Sequence, residues 1–122
     1  MASILIIDDT ASIREFVRRI LEADGHQIRD AANGHLGLVL YREAPADLVI
    51  TDLLMPERDG MEVILALTKE FVAARIIAMT GATGEECLLD VAALLGAHQV
   101  VRKPFTPEEM RRVVRRTLDH SN

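Results

Sequence analysis

Asp8, Asp9, Asp52, Thr80 and Lys103 are the residues whose types and placement could do chemistry together. Each follows or closes a short apolar run. Ser3–Ile7 leads into Asp8-Asp9, Leu48-Val49-Ile50-Thr51 into Asp52, Arg75-Ile76-Ile77-Ala78-Met79 into Thr80, and Val100-Val101-Arg102 into Lys103. Three carboxylates brought to one place repel. Two like charges ~4 Å apart cost about 4 kcal/mol at an effective dielectric near 20. Such a group must protonate, be offset by a cation, or hold a metal ion. Oxygen-only donors with room for water suit magnesium rather than zinc, and His98 and Cys87 are not spaced as zinc ligands with any partner. Lys103 adds a compact ammonium suited to phosphate or carboxylate oxygens, and Thr80 adds a hydroxyl donor. A cation, an ammonium and a hydroxyl facing a carboxylate are the parts needed for phosphoryl transfer, in which positioning and charge stabilisation dominate. With a carboxylate as acceptor, the product is an aspartyl phosphate.

For these residues to meet, the runs before them must lie side by side. Continuous Val/Ile/Leu runs of this length read as strands buried on both faces, the habit of parallel sheets covered by helices. The carboxyl ends of such strands open on one edge, where ligands bind at the switch in strand order. Between the strands the period changes. Ile13, Phe16, Val17, Ile20 and Leu21 form one helical face, with Gly25 as its stop signal. Residues 26–31 read as a short second strand, and Asn33 can cap a helix running to about Glu43. Met55-Pro56-Glu57-Arg58-Asp59-Gly60 is a turn-rich loop before a helix through Met61, Val63, Ile64 and Leu67. A loop over 81–84 precedes a fourth helix over 85–95, then a last strand over 99–103. Thr106-Pro107-Glu108-Glu109 reads as a capping box with Pro at the first helical position, opening a final helix. Five strands and five helices in strict alternation predict a doubly wound α/β sandwich.

Composition narrows the class. At 122 residues, with 49% hydrophobic residues, the chain is one domain with a real core. Its net charge of −5 lacks the broad positive field of a nucleic-acid binder. A single cysteine, Cys87, excludes an internal disulfide and fits a reducing compartment. No apolar stretch approaches the ~20 residues needed to span a bilayer, and Met-Ala-Ser leads straight into a strand without a signal-peptide pattern. The reading is a soluble, cytoplasmic protein without direct nucleic-acid or membrane contact. Arg111, Arg112, Arg115 and Arg116 read as a solvated helix face, and His26, His35, His98 and His120 as surface or loop residues.

The set Asp8-Asp9, Asp52, Leu54-Met55-Pro56-x-x-Asp59-Gly60, Thr80 and Lys103-Pro104-Phe105 resembles the receiver domain of bacterial two-component response regulators, of the single-domain, chemotaxis-regulator-like kind. The resemblance spans residues 1–122. It implies a flavodoxin-like five-stranded parallel sheet in the order 2-1-3-4-5. It implies that Asp52 accepts a phosphoryl group from a phosphohistidine on a sensor histidine kinase or histidine phosphotransfer protein. Magnesium would be bound by Asp9, Asp52 and the backbone carbonyl of Leu54, with Asp8 acting through water. Lys103 would grip the phosphoryl oxygens, Thr80 would hydrogen-bond one of them, and the Lys103-Pro104 bond would be cis. The protein would be no enzyme beyond its own phosphorylation and slow autodephosphorylation. The surface of the fourth helix, last strand and last helix would then bind a downstream protein target or a second copy.

Three positions depart from the family pattern. Val100 stands where the family usually has Tyr or Phe, three residues before the lysine, so an aromatic switch is missing. Leu54 and Ala82, two residues after Asp52 and Thr80, are apolar where the family has polar groups that position the attacking water. This predicts a slowly decaying phosphoryl group. Two other readings stay open: a small magnesium-dependent aspartyl-phosphate phosphatase, and a degenerate, unphosphorylated interaction domain. Against the first, no Asp-x-Asp pattern follows the first strand and no cap insertion is present. Against the second, a scaffold has no need to tolerate the carboxylate repulsion.

Overall fold

A computed structural model of the chain describes residues 1–53, 59–71, 73–81 and 96–119. Its strands are β1 (Ser3–Ile7), β2 (Gln27–Ala31), β3 (Leu48–Asp52), β4 (Ile76–Thr80) and β5 (Gln99–Arg102). They form one parallel sheet in the order β2-β1-β3-β4-β5. Four helices stand among the described residues: α1 (Ala11–Ala23), α2 (Gly34–Glu43), α3 (Asp59–Glu70) and α4 (Pro107–Asp119). The helix expected over 85–95 lies outside the described residues. The last strand ends at Arg102, one residue short of the sequence expectation, so Lys103 begins the loop that follows.

Side-chain alternation along each strand divides the core between two faces. Leu5, Ile7, Val49, Ile76 and Ala78 meet Tyr41 from α2 and Val63, Ile64 and Leu67 from α3. Ile4, Ile6, Leu48, Ile50, Ile77, Met79 and Val101 meet Val17, Ile20 and Leu21 from α1 and Met110 and Val114 from α4. Every residue of β3 and β4 is buried, as continuous apolar runs require, whereas edge strand β2 is largely half-buried. Each buried Ile or Leu contributes about 1.5–3 kcal/mol relative to exposure, so the three inner strands, β1, β3 and β4, anchor the fold.

The local signals behave as their chemistry dictates. Gly25 stops α1 with φ +89°, a left-handed conformation that costs glycine little. The Asn33 side chain accepts the Leu36 N–H at 2.8 Å and caps α2. At α4, Thr106 N–H donates to Glu109 Oε1 (2.9 Å) while Glu109 N–H donates to Thr106 Oγ1 (3.1 Å), a reciprocal capping box. Gly37 lets α2 approach the sheet closely: a Cβ there would collide with the Ile7 side chain. One expectation changes. Phe16 is 40% exposed, and its ring meets Phe105 at a centroid distance of 5.9 Å.

Candidate functional site

Strand register brings the acidic residues together. β1 and β3 pair Ile4 with Leu48 through Ile7 with Thr51, so one step further sets Asp8 beside Asp52. β3 pairs Asp52 with Met79, and β4 pairs Thr80 with Arg102, which places Lys103 just beyond. Lys103 N–H donates to the Thr80 carbonyl at 2.6 Å, tying the loop after β5 to the end of β4. All five residues therefore lie at one sheet edge although 95 positions separate Asp8 from Lys103.

The side chains converge as well. Asp8, Asp9 and Asp52 each present an oxygen within 4.8 Å of the others. Lys103 Nζ lies 2.9 Å from Asp8 Oδ2 and 3.5 Å from Asp52 Oδ2. Asp8 and Asp52 are buried, Asp9 is exposed, and the Lys103 side chain keeps 20% of its surface. Asp8 is the organising carboxylate: Oδ1 accepts the Thr10 N–H at 2.9 Å while Oδ2 takes Lys103. The Lys103 ammonium thus meets two carboxylates removed from water, with a third, exposed one close to them. Burial raises the cost of such an imbalance, and an oxygen-only cluster of this kind could hold a hard divalent cation.

Thr80 is fully buried, and its Oγ1 has no hydrogen-bond partner among the described residues. A buried hydroxyl in that state costs about 1–3 kcal/mol, so an oxygen acceptor arriving at this edge would be stabilising. The Lys103-Pro104 peptide bond is cis. Val100 is half-buried and packs with the α2/α3 side of the core, where the sequence comparison with the family expects an aromatic ring. Leu54, whose carbonyl was expected to face a metal, and Ala82 lie outside the described residues.

Sequence reasoning missed Arg14. Its Nη1 donates to the Asp8 carbonyl at 2.7 Å and its Nε lies 3.6 Å from Asp30 Oδ1, so α1 braces the backbone of the acidic loop. Arg18, one turn on, pairs with the same Asp30 at 2.7 Å. The available signal was two arginines at i, i+4 beside the apolar stripe. A basic face on that spacing is ordinary in a solvated helix and does not by itself point to a partner. Arg111 also differs from its expected solvated role: it lies 3.5 Å from Asp24 and 3.0 Å from Glu108, bridging α4 to the end of α1. Beside Lys103, the residues Ser12, Ile13, Phe16, Pro104 and Phe105 line an apolar hollow of about 360 Å³.

The family model described as "Response regulator receiver domain" matches residues 4–115. The chemotaxis protein CheY of Bacillus subtilis is 33% identical over 117 residues, covering 95% of this chain and 97% of that protein. The transcriptional regulatory protein ResD of the same organism is 38% identical over 107 residues, covering 88% of this chain but 44% of its own length. Several relatives are of that longer kind, and the chain spans about half their length. Among solved structures, a response regulator receiver domain protein from Clostridium thermocellum superimposes with a TM-score of 0.90 at 30% identity, covering 98% of this chain and 95% of its own. The chemotaxis response regulator CheY4 of Vibrio cholerae gives 0.88, also at 30%, covering 96% and 98%. With the match running from the first strand into the last helix, the chain belongs to the receiver domains of two-component response regulators.

Proposed function

We propose that residues 1–122 form one receiver domain that accepts a phosphoryl group on Asp52 from a phosphohistidine of a sensor histidine kinase or histidine phosphotransfer protein. The observation that carries this reading is the Lys103 ammonium lying between Asp8 and Asp52 at 2.9 and 3.5 Å, where oxygens of a phosphoryl group on Asp52 would become its partners. An Asp52 carboxylate oxygen attacks phosphorus, the phosphorus–nitrogen bond breaks, and the electron pair returns to the donor imidazole. Lys103 neutralises charge on the transferred group's peripheral oxygens, and the Thr80 hydroxyl donates to one of them. Such a module is a signalling device rather than an enzyme acting on outside substrates.

The acidic set fits magnesium. Asp9 and Asp52 would hold it directly with the Leu54 carbonyl, and Asp8, already engaged by Thr10 and Lys103, would support it through water. Bound there, the ion supplies charge neutralisation that lets carboxylate and phosphoryl oxygens share one pocket. The apolar hollow beside Lys103 offers a donor protein a contact patch next to the acceptor. The phosphoryl group would decay over minutes or longer, because apolar Leu54 and Ala82 do little to orient water.

Phosphorylation would draw Thr80 toward the new oxygens and bias a two-state surface. Moving such a switch from mostly off to mostly on takes about 5.5 kcal/mol of differential stabilisation. With Val100 in the aromatic position, the change would pass through the 81–84 loop and the helix expected over 85–95. That helix, β5 and α4 would meet a downstream protein target or a second copy. No described helix is long and apolar enough to cross a membrane. The module would act in the cytoplasm without nucleic-acid contact of its own. Incubation with a small acyl-phosphate donor and magnesium, read by mass spectrometry, tests the reading. One phosphoryl group gained by the parent and none by Asp52→Asn supports it; equal gain in both overturns it.

A further inference from the structure

The amino edge of the sheet carries two imidazoles in matching positions. His26 immediately precedes β2 and His98 immediately precedes β5, the two outer strands of the sheet. His26 Nδ1 lies 3.0 Å from the backbone N of Ala2, and His98 Nδ1 lies 3.1 Å from that of Ile76. Extending the ladders back by one residue puts each histidine opposite the residue whose N–H it receives: Ser3 pairs with Gln27, and Ile77 with Gln99. Each contact is closed by a backbone bond. Gln27 N–H donates to the Ala2 carbonyl at 2.9 Å, and His98 N–H donates to the Ile76 carbonyl at 2.7 Å. At the start of each outer strand, one ring bond and one backbone bond thus clip it to its neighbour.

A backbone N–H can only donate, so each Nδ1 must be an unprotonated acceptor, with the ring proton on Nε2. An imidazolium would aim its own N–H at the backbone N–H. We infer that His26 and His98 form a paired, acid-sensitive clasp that fastens both outer strands to the sheet while the rings are neutral and releases them on protonation. The surroundings reinforce this. Around His26 stand the Met1 ammonium, Asp24 from the end of α1, Asp47 before β3, Arg75 before β4, and Arg115 and Asp119 of α4. Burial, then the Met1 ammonium, lower the pKa of His26, with Asp24 opposing them. Burial, then Arg75, lower that of His98.

The sign follows from linkage. A histidine with a folded-state pKa below its unfolded value near 6.5 binds fewer protons when folded. The stability it contributes is fully present above that unfolded value and is lost as pH falls toward the folded one. Between the two values the unfolding constant rises by up to about tenfold per pH unit for each ring.

The test uses the full chain and Asn replacements, whose Oδ1 can accept the same N–H but does not titrate. Urea unfolding of the parent and of the H26N/H98N double variant is compared from pH 7.5 to 5, alongside long-range ¹H–¹⁵N spectra of the parent imidazoles. The clasp predicts Nε2–H rings that titrate below 6.5. It also predicts that the parent-to-variant ratio of unfolding constants rises more than tenfold across the range. Nδ1–H tautomers, ordinary titration near 6.5, or a ratio constant within threefold would overturn it. If the double variant does not fold, the tautomer and titration spectra of the parent decide alone.

Discussion

At the carboxyl edge of the sheet, Asp8, Asp52 and Lys103 pack charge against charge, with exposed Asp9 beside them. At the amino edge, His26 and His98 present neutral ring nitrogens to backbone N–H groups. Both sets follow or precede strands of the same sheet, yet they answer different physical demands. The amino edge satisfies donors that the ladder leaves over, so its polar groups stabilise the fold. The carboxyl edge gathers like charges that favour separation, and Thr80 adds a buried hydroxyl without a described partner. Strain of that kind is useful only where a ligand relieves it. Under the proposed function, the difference sets a functional edge apart from a structural one.

Substitutions can break or sharpen this contrast. The largest effect is expected at Lys103→Ala, which should slow phosphorylation by acyl phosphate roughly 10²-fold, the scale of losing one charge-stabilising donor. Stopped-flow or gel-shift rates against the parent measure it, and a change under threefold would place the lysine outside the chemistry. Next, Asp9→Asn should weaken magnesium binding more than tenfold by titration calorimetry, while the metal-free chain unfolds at unchanged or higher urea because one repelling charge is gone. Loss of stability there would make Asp9 structural.

Smaller effects belong to the frame. Gly37→Leu should destabilise by about 1–3 kcal/mol through overpacking against Ile7, measured by urea denaturation. His98→Ala should cost about 1–2 kcal/mol at pH 7.5 by leaving the Ile76 N–H without its acceptor. Its phosphorylation rate should stay within about twofold of the parent, since the ring sits at the opposite edge from the acceptor. A large drop in that rate would couple the two edges and dissolve the contrast.

Much of this was legible in the residues themselves. Unbroken apolar runs in β1, β3 and β4 announced parallel strands buried on both faces, and the polar residue at the end of each run announced the shared edge. Asn33 and the Thr106–Glu109 box marked helix starts because capping is local chemistry. Long-range partners were not legible. Arg14 reaches a backbone carbonyl six residues away, and Arg18 a carboxylate on β2, through folding of the chain rather than any spacing pattern. The histidine clips were equally silent, since a lone histidine before a strand looks like any loop residue until register places an N–H opposite it. Phe16 differs because helical periodicity reports a face but not how fully each side chain on it is covered.

The central claim is that one carboxylate, Asp52, takes the phosphoryl group while its two acidic neighbours serve the cation. Borohydride reduction of the chain after treatment with acyl phosphate and magnesium converts a phosphorylated aspartate to homoserine, which tandem mass spectrometry locates. The account predicts homoserine at position 52 and nowhere else. Homoserine at position 8 or 9, or an unmodified Asp52 in a chain that has gained phosphate, would contradict it.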